Sequence, residues 1–561
     1  MSLSFTLFAG LSRSRIQVRL SIHSSHGLKF SKLSTAWHKV PDRTNNREVL
    51  AMCRNWLQDC VENHEICRER VGTIDKWLPT RLLDTGAPAD PVSLRLVVGE
   101  NLAGTGAKYL ALSHCWGKSV ILSLKTSNIE AFEEEIPFSS LPRTFQHATV
   151  AARSLGYRYL WIDSLCILQD SSEDWQYESS FMGDVYSQCD CVIAATGSKD
   201  GSGGLFRIRE PKFIEPFILR AKWSFYEEDY TCVNADVWTR GVAEAPLNQR
   251  GWVVQERMLA PRTLHFGDHQ IFWECRQLEA CETMPQGLPS DLIVAGDREG
   301  NAFKRWMKPI KRTANDAQQV SDGPLDSWDY IVEVYMRSKL TKGEDKLIAL
   351  SGMAKKMQLV LKDEYLAGLW RSSLVNGMLW WAEDADTPSM RYPLYRGPSW
   401  SWASIDGNIS RTVSSDLYGD FVKILEVTIQ PLGKDLTGQV QSGHIMLECI
   451  VKAINKPSAH HWSSMFTSGQ YHPDDRRESE SLDEFYALPL RNHRIRVQDD
   501  EDLWGLIIAK EDSSPNTFRR VGFFRVEDGE DIKFVGSKSP PEKVSNFGLS
   551  INDKRQLIRL V

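Results

Sequence analysis

The chain has 561 residues, enough for about three or four domains of about 150 residues each, which excludes a single small module. Its 67 Lys and Arg against 73 Asp and Glu give a formal charge of −6 without a basic stripe, which excludes a general nucleic-acid binder. No run of 18 apolar residues occurs, so no membrane span is expected. The odd count of 11 cysteines favours a reducing compartment, and we predict a cytoplasmic protein.

Residues 1–41 differ from the rest of the chain because they are basic and contain no acidic residue before Asp42. This composition, with its many serines, is typical of a transit peptide, so mitochondrial import is one interpretation. A disordered basic arm or a mis-assigned start gives the same composition, and the missing amphipathic period favours these two. We therefore predict a disordered or targeting arm over residues 1–41.

Residues 42–108 are predicted to form one amphipathic helix over residues 45–70 and then short strands at 78–84 and 92–98. In the helix, Cys60, His64 and Cys67 form a C-x3-H-x2-C motif that can present three metal ligands on one face. The fourth ligand is missing locally, because Cys53 lies about 10 Å further along the helix axis. Buried cysteines also pack as small hydrophobes. We therefore expect helix packing and no metal, with the metal site as the weaker alternative.

Residues 109–275 are predicted to form an α/β core. Apolar strands at 109–112, 159–162 and 191–195 alternate with helices that begin near Pro142 and Ser172. This β-α-β-α-β order predicts a mainly parallel sheet with right-handed crossovers, which brings the strand ends after Ser113, Asp163 and Ala195 to one rim.

The rim is the predicted ligand site, because ligands bind beyond the carboxyl ends of strands in open α/β sheets. Asp163 follows a buried strand directly, although an aspartate there is equally suited to capping the next turn. Glu178 falls on the apolar stripe of its helix, so it is either a carboxylate in a pocket or one bonded to an amide or to Arg143 or Arg250. The remaining ligand-binding candidates at the strand ends are Ser113, His114, Trp116, Gly117 and Ser164.

Three chemistries are candidates for this rim. A Cys-His hydrolase using His114 and Cys115 is disfavoured, because neighbouring residues on a strand point to opposite faces. Phosphate binding by the glycines at 197–204 lacks both GxGxxG and a P-loop lysine. Cleavage of NAD would use Glu178 or Asp163 to stabilise an oxocarbenium-like centre. No cofactor is expected, and NAD enters only as a substrate.

Four segments in order resemble the successive blocks of the fungal heterokaryon incompatibility (HET) domain, over roughly residues 109–256. They are YLALSHCWG at 109–117, LPRTFQHATVAARSLGYRYLWIDSLCILQD at 141–170, the helix at 175–186, and RGWVVQERMLAPRTLHFG at 250–267. Flanking features also resemble full-length members: the Cys60-His64-Cys67 helix, EDKLIALSGMA at 344–354, YLAGLW at 365–370 and PSWSWASIDG at 398–407.

The resemblance implies non-self recognition and programmed cell death after fusion of unlike hyphae, acting through protein partners or self-assembly. It also implies a distant similarity to TIR domains, some of which cleave NAD with a glutamate. Enzyme activity is left open, with a recognition and assembly module as the competing class. Within the last block, Trp252 is predicted to be buried and to close the core.

The C-terminal half is predicted to hold a helical region at 276–397, with helices at 326–336 and 344–357 and a helical or mixed segment at 365–381. A β-rich region follows at 398–561, with antiparallel strands at 421–430, 444–453, 503–510 and 519–526. Residues 457–484 are polar and rich in serine, and they predict a mobile loop. The whole chain is thus predicted to be α/β in its core and α+β in its flanks.

Overall fold

The structure is a computed structural model that describes residues 2–7, 16–23, 37–68, 77–87, 90–118, 121–223, 226–234, 236–289, 292, 304, 323–383, 388–411, 417–419, 421–454, 469–494, 501–511, 516–526 and 554–561. The chain divides into two units, Met1–Thr313 and Ala314–Val561.

The first unit contains twelve named strands and seven named helices among its described residues. The strands are β1 (Ser2–Leu7), β2 (Ile16–His23), β3 (Arg81–Asp84), β4 (Arg95–Val98), β5 (Tyr109–Ser113), β6 (Tyr159–Trp161), β7 (Cys191–Ala194), β8 (Phe217–Trp223), β9 (Tyr226–Asn234), β10 (Arg262–Phe266), β11 (Ile271–Cys275) and β12 (Glu279–Cys281). The helices are α1 (Arg47–Asn63), α2 (Glu65–Arg68), α3 (Ile129–Glu134), α4 (Arg143–Ser154), α5 (Asp163–Cys166), α6 (Ser172–Gln188) and α7 (Gly251–Leu259). Short 3₁₀ turns lie at Gly99–Leu102, Phe138–Ser140, Pro211–Phe213 and Pro246–Gln249, and a π turn lies at Thr239–Ala243.

An eight-stranded sheet forms the centre of this unit, in the order β12-β11-β10-β7-β5-β6-β3-β4. The four central strands β10, β7, β5 and β6 run parallel, and the outer strands are antiparallel. Every residue of β5 and β7 is buried, as expected for parallel strands covered on both faces. The predicted α/β core with a parallel sheet is therefore confirmed.

The two crossovers run in opposite directions, because the first leads from β5 to β6 on one side and the second leads from β6 back past β5 to β7 on the other. Right-handed connections then place α4 and α6 on opposite faces of the sheet. Consistent with this, α4 contacts α1, whereas α6 packs against α7. The helix α4 begins after Pro142, and Gly156 follows its end with a φ of 91°, as the sequence predicts for a helix stop.

Two predictions for the N-terminal segments need correction. A disordered arm is contradicted for residues 2–7 and 16–23, because β1 and β2 pair with each other, and β2 pairs with β9 in a four-stranded sheet. The targeting role of residues 1–41 stays a prediction. The single helix over 45–70 is also wrong, because α1 ends at Asn63 and His64 has extended backbone before α2 begins. This break changes the directions of the side chains that follow it.

In the second unit, most of the described helices come before the long strands. Its helices are α8 (Pro324–Met336), α9 (Ser351–Leu361), α10 (Leu374–Gly377) and α11 (Arg476–Ser481), with 3₁₀ turns at Gly343–Lys346, Ile348–Leu350, Arg371–Ser373 and Trp402–Ser404. Its short strands are β13 (Tyr365–Leu366), β14 (Leu369–Trp370), β15 (Trp381–Ala382), β16 (Met390–Arg391), β17 (Ile405–Asp406), β18 (Ile409–Ser410) and β19 (Leu417–Tyr418). The remaining strands are β20 (Val422–Pro431), β21 (Val440–Cys449), β22 (Lys452–Ile454), β23 (Gly469–Pro473), β24 (Phe485–Arg494), β25 (Glu501–Lys510), β26 (Thr517–Val526) and β27 (Gln556–Leu560).

The strands β19 to β27 form one nine-stranded sheet, antiparallel except where β26 pairs with β27. The four predicted C-terminal strands are confirmed as parts of β20, β21, β25 and β26. The mobile loop at 457–484 is wrong for residues 469–484, because β23 pairs with β26 and α11 follows. The helix predicted at 344–357 is two 3₁₀ turns and then α9, and the segment 365–381 is mixed, as expected.

No helix among the described residues is long and apolar enough to cross a membrane.

Candidate functional site

The carboxyl ends of β5 and β7 lie side by side, at the point in the sheet where the strand order reverses. Ser113 ends β5 and pairs in register with Ala194 of β7. The chain leaves β5 towards β6 on one side, and leaves β7 towards β10 on the other. A crevice opens where two neighbouring strands connect away from each other, and ligands of open α/β sheets bind there. The rim predicted from the sequence is therefore the switch point of the observed sheet.

Ser113 faces a carboxyl group that the sequence analysis did not assign to the rim. Its buried hydroxyl donates a hydrogen bond of 2.5 Å to Oε2 of Glu256 in α7. Burial, with a smaller contribution from the charge of Asp163, raises the pKa of Glu256 to about 7. Arg250 and hydrogen bonds from Ser113 and Tyr186 act in the opposite direction and offset only part of this effect. Glu256 is thus poised to gain or lose a proton near neutral pH.

Asp163 holds the loop after β5 against the start of α5. Its Oδ2 accepts a hydrogen bond of 2.7 Å from Nε1 of Trp116, and its Oδ1 accepts one of 2.7 Å from the backbone N–H of Ser164. Nδ1 of His114 lies 3.6 Å from Oδ1, too long for a hydrogen bond but close enough for charge coupling. The carboxylate both caps a turn and faces the rim, so the two roles weighed from the sequence occur together.

The imidazole of His114 is buried beside this carboxylate, with its ring edge-on to Phe145 at 4.9 Å between centroids. Desolvation lowers the pKa of His114, and Asp163 counters it only in part. Its Nε2 has no hydrogen-bond partner among the described residues, and neither has Oγ of buried Ser164. Two polar atoms at the rim are therefore available to a bound molecule.

Gly117 brings two of the rim loops together. Its φ is 72°, and a Cβ at this position would lie 2.4 Å from Cβ of Asp200 in the loop after β7. Any larger residue would push the loops after β5 and β7 apart. The glycine predicted to line the site is therefore required for its shape.

Glu178 lies on the inward face of α6, as its spacing predicts, and it is 3% exposed. Its Oε1 lies 3.4 Å from the guanidinium of Arg81 in β3, which also pairs with Asp174 at 2.6 Å. Burial raises the pKa of Glu178, while Thr80 and Arg81 lower it. The partner is thus an arginine, but not Arg143 or Arg250, the two that the sequence suggested. The structure brings Ser113, Asp163 and Glu256 together and gives Glu178 its own ion pair.

The sequence missed Glu256, Arg250 and Tyr186 as members of the rim. Arg250 donates a hydrogen bond to the carbonyl of His114, and the hydroxyl of Tyr186 hydrogen-bonds to the carboxyl of Glu256, as Ser113 does. The signal was present, because residues 250–256 form one of the recognisable blocks, but its predicted anchor was Trp252. That prediction is wrong: Trp252 is half-buried in the first turn of α7, before residues 253–259, which are all buried.

Among the described residues, one group has side chains arranged as metal ligands, and it lies outside the rim. It consists of Cys60, His64, Cys67 and Cys275, all buried. The first three are the weak candidates named from the sequence, and Cys275 of β11 supplies a fourth ligand atom.

Residues 109–256 match the family model described as Heterokaryon incompatibility protein (HET). This segment is a HET domain. The match begins at the first residue of β5 and ends at Glu256, so the HET domain spans the parallel strands β5, β6 and β7, and every rim residue lies within it. No curated protein and no solved structure matches the chain.

Proposed function

We propose that this protein is an effector of non-self recognition and programmed cell death, acting in heterokaryon incompatibility of a filamentous fungus. The HET domain at residues 109–256 supports this assignment, because it includes three of the four parallel strands and the whole switch-point rim. The compartment proposed is the cytoplasm. The proposed partners are proteins, either an incompatibility partner or further copies of the chain.

We further propose that cell killing depends on Ser113, Asp163 and Glu256. The single observation that carries this proposal is the buried carboxyl of Glu256, held at the carboxyl end of β5 by Ser113 and raised in pKa to about 7. Burying a carboxyl group costs free energy unless the group is bonded or used, and burial with a neighbouring charge is how functional carboxyls acquire pKa values near neutrality.

The test is to express the wild type and three charge-deleting variants in a filamentous fungus, and to measure killing per amount of folded protein. Asp163→Asn and Glu256→Gln keep size and hydrogen-bonding capacity, so they should fold and lose killing. Glu178→Gln is the matched control, because it deletes a buried carboxyl outside this cluster, and its killing should follow the amount of folded protein. Undiminished killing by a stable Asp163→Asn, Glu256→Gln double variant would contradict the site assignment.

A second candidate is an NAD-cleaving hydrolase whose activity drives the cell death. Two carboxyl groups at one rim favour it, because a carboxylate stabilises the oxocarbenium-like centre of glycosidic cleavage and a second carboxyl can take the proton of the attacking water. Nicotinamide leaves as a neutral ring and needs no acid, so Glu256 would be the base that accepts the water proton. Asp163, whose side chain is 22% exposed, would be the carboxylate.

Purified full-length protein incubated with NAD distinguishes the two classes. Release of nicotinamide that is lost in Glu256→Gln and kept in Glu178→Gln supports the hydrolase. A preparation that kills cells on expression but releases no nicotinamide overturns the hydrolase and leaves recognition and assembly.

A further inference from the structure

Four buried side chains from three separate elements meet at one point outside the rim. Cys60 ends the buried face of α1, His64 lies in the break after it, Cys67 lies in α2, and Cys275 ends β11. One sulfur or nitrogen atom from each residue lies within 4.8 Å of the other three. The exposed fractions are 0%, 8%, 1% and 0%, so bulk water has little access to this point.

The break in the N-terminal helix is what turns three of these residues inward. His64 has a φ of −87° and a ψ of 99°, while its N–H still bonds to the carbonyl of Cys60. The N–H of Cys67 then bonds to the carbonyl of His64 at 3.1 Å, which folds the C-x3-H-x2-C motif into a tight turn. A continuous helix would have set the three residues in a row along its axis, whereas the turn wraps them around one centre.

The set of atoms matches the chemistry of a closed zinc site. Structural zinc takes four ligands in a tetrahedron, and three thiolates with one imidazole are among its common sets. A Zn–S bond of about 2.3 Å puts tetrahedral sulfur atoms about 3.8 Å apart. The observed limit of 4.8 Å between ligand atoms therefore requires adjustments of about 1 Å at most.

The contacts around these four residues are those that support metal ligands. Nδ1 of His64 faces Sγ of Cys275 at 3.3 Å, and Nε2 on the other side of the ring lies 3.5 Å from Oδ2 of Asp59. A carboxylate behind a ligating histidine fixes the ring and its tautomer. The backbone N–H of Leu278 donates to Sγ of Cys275 at 3.3 Å, from the turn between β11 and β12.

The charge at this point is also compatible with a bound zinc ion. Nε of Arg262 donates to Sγ of Cys60 at 3.1 Å, and Arg262 is 4% exposed. Zinc with three thiolates and a neutral imidazole carries a net charge of −1, which one guanidinium neutralises. Cysteines that only pack as small hydrophobes need neither a buried arginine nor a histidine with an aspartate behind it.

We propose that Cys60, His64, Cys67 and Cys275 bind one zinc ion that fastens helix α1 to the end of strand β11. The sequence alone favours helix packing for the first three residues, because no fourth ligand lies nearby in the chain, and Cys275 removes that objection. The site lies outside the matched HET segment on both sides in sequence, so the ion would join the segments that flank the domain.

Elemental analysis of full-length protein, purified in the presence of a weak chelator, tests the proposal. We expect about one zinc per chain in the wild type, none in Cys275→Ser or His64→Ala, and about one in His64→Cys, which restores four ligands. Cys53→Ser is the matched control, because Cys53 is buried on the same helix but outside the cluster, and it should keep the metal. Metal-free wild type, or full zinc in both Cys275→Ser and His64→Ala, overturns the proposal.

Cobalt substitution gives a readout that does not require the ligand variants to fold. Wild-type protein loaded with Co²⁺ should show the intense visible bands of a tetrahedral ion and a thiolate charge-transfer band in the near ultraviolet. Removing the ion should lower the melting temperature and expose the three thiols to a thiol reagent. A Co²⁺ spectrum typical of octahedral coordination would contradict the site. So would a disulfide among these cysteines in protein purified under reducing conditions.

Discussion

Ser113 donates its hydroxyl proton to Oε2 of Glu256 at 2.5 Å, and this bond joins the end of the central strand β5 to helix α7 across 143 residues of sequence. Because Glu256 is buried and its carboxyl has a pKa of about 7, the protonation of the rim depends on a contact between two distant segments. The pH dependence of folding therefore reports on the protonation of Glu256.

Glu256→Gln should make the free energy of unfolding less dependent on pH. The pKa of Glu256 is about 7 in the folded protein, against about 4.3 for a glutamate in an unfolded chain. Between these values the folded state holds a proton that the unfolded state has released, so the wild type loses stability as pH rises through this window. The variant has no such proton. Its stability relative to the wild type should rise by about 3 kcal/mol between pH 4 and pH 8, measured by urea unfolding.

Ser113→Ala provides the companion measurement. The hydroxyl favours the charged carboxylate, so its removal should raise the pKa of Glu256 further and extend the loss of stability to higher pH. If the difference in free energy of unfolding between wild type and Glu256→Gln is the same at all pH values, the pKa of Glu256 in the folded protein is not raised above its value in the unfolded chain.

Arg81→Met should destabilise the first unit by about 3–5 kcal/mol, because it leaves the buried carboxylate of Glu178 without its cation. Adding Glu178→Gln to this variant should recover part of the loss, since the second change removes the unpaired charge. Lys212→Met is the control: Lys212 pairs with Glu210 on the surface, and an exposed pair is worth about 0–1 kcal/mol. Equal effects of the two single variants, in urea unfolding, would show that the Arg81 pair is not structural.

Trp273→Ala should cost more stability than Trp252→Ala. Trp273 lies in β11, is fully buried, and stacks on Trp56 at 6.3 Å between ring centroids, so its loss should cost about 3–5 kcal/mol. Trp252 is half-buried, and its removal leaves a smaller cavity and returns less apolar surface to water. Urea unfolding of both variants checks the order, and a larger cost for Trp252 would mean that α7 packs differently.

The parallel core could be predicted because its strands and helices show in the pattern of neighbouring residues. Buried runs at Tyr109 and Tyr159 and the apolar stripe around Glu178 each follow a period that shows in a few consecutive residues. From these periods the strand ends, the position of Asp163 and the inward direction of Glu178 all follow, and the structure has each of them.

The partners of these residues could not be predicted, because they come from distant segments. Arg81 reaches Glu178 from a strand 97 residues earlier, and Cys275 reaches His64 from 211 residues later. Both partners lie on outer strands of the sheet, which pair antiparallel with their neighbours. The position of such a strand in the sheet cannot be predicted from the period of its own residues. Contacts between distant segments, and not local propensity, therefore decide which side chains become the partners of Glu178 and His64.

In the second unit, Asp474 lies within the segment predicted to be a mobile loop, yet it forms a fully buried ion pair. Nε of Arg520 lies 3.0 Å from its Oδ2, and both side chains are 0% exposed. The guanidinium also donates to the carbonyls of Met378 and Trp380, and it stacks over the Trp380 ring at 3.3 Å. Breaking such a pair leaves an uncompensated buried charge.

Asp474→Asn should therefore cost about 3–5 kcal/mol, whereas a residue of a mobile loop would tolerate the change. Glu484→Gln is the matched control, since Glu484 pairs with Lys510 on the surface of the same unit and its loss should change stability little. Urea unfolding of the full chain, followed by tryptophan fluorescence, gives both values. In the same samples, limited proteolysis should cut Asp474→Asn within residues 469–484 faster than it cuts the control. A stable Asp474→Asn variant that resists proteolysis like the control would show that this ion pair does not hold the segment against β26.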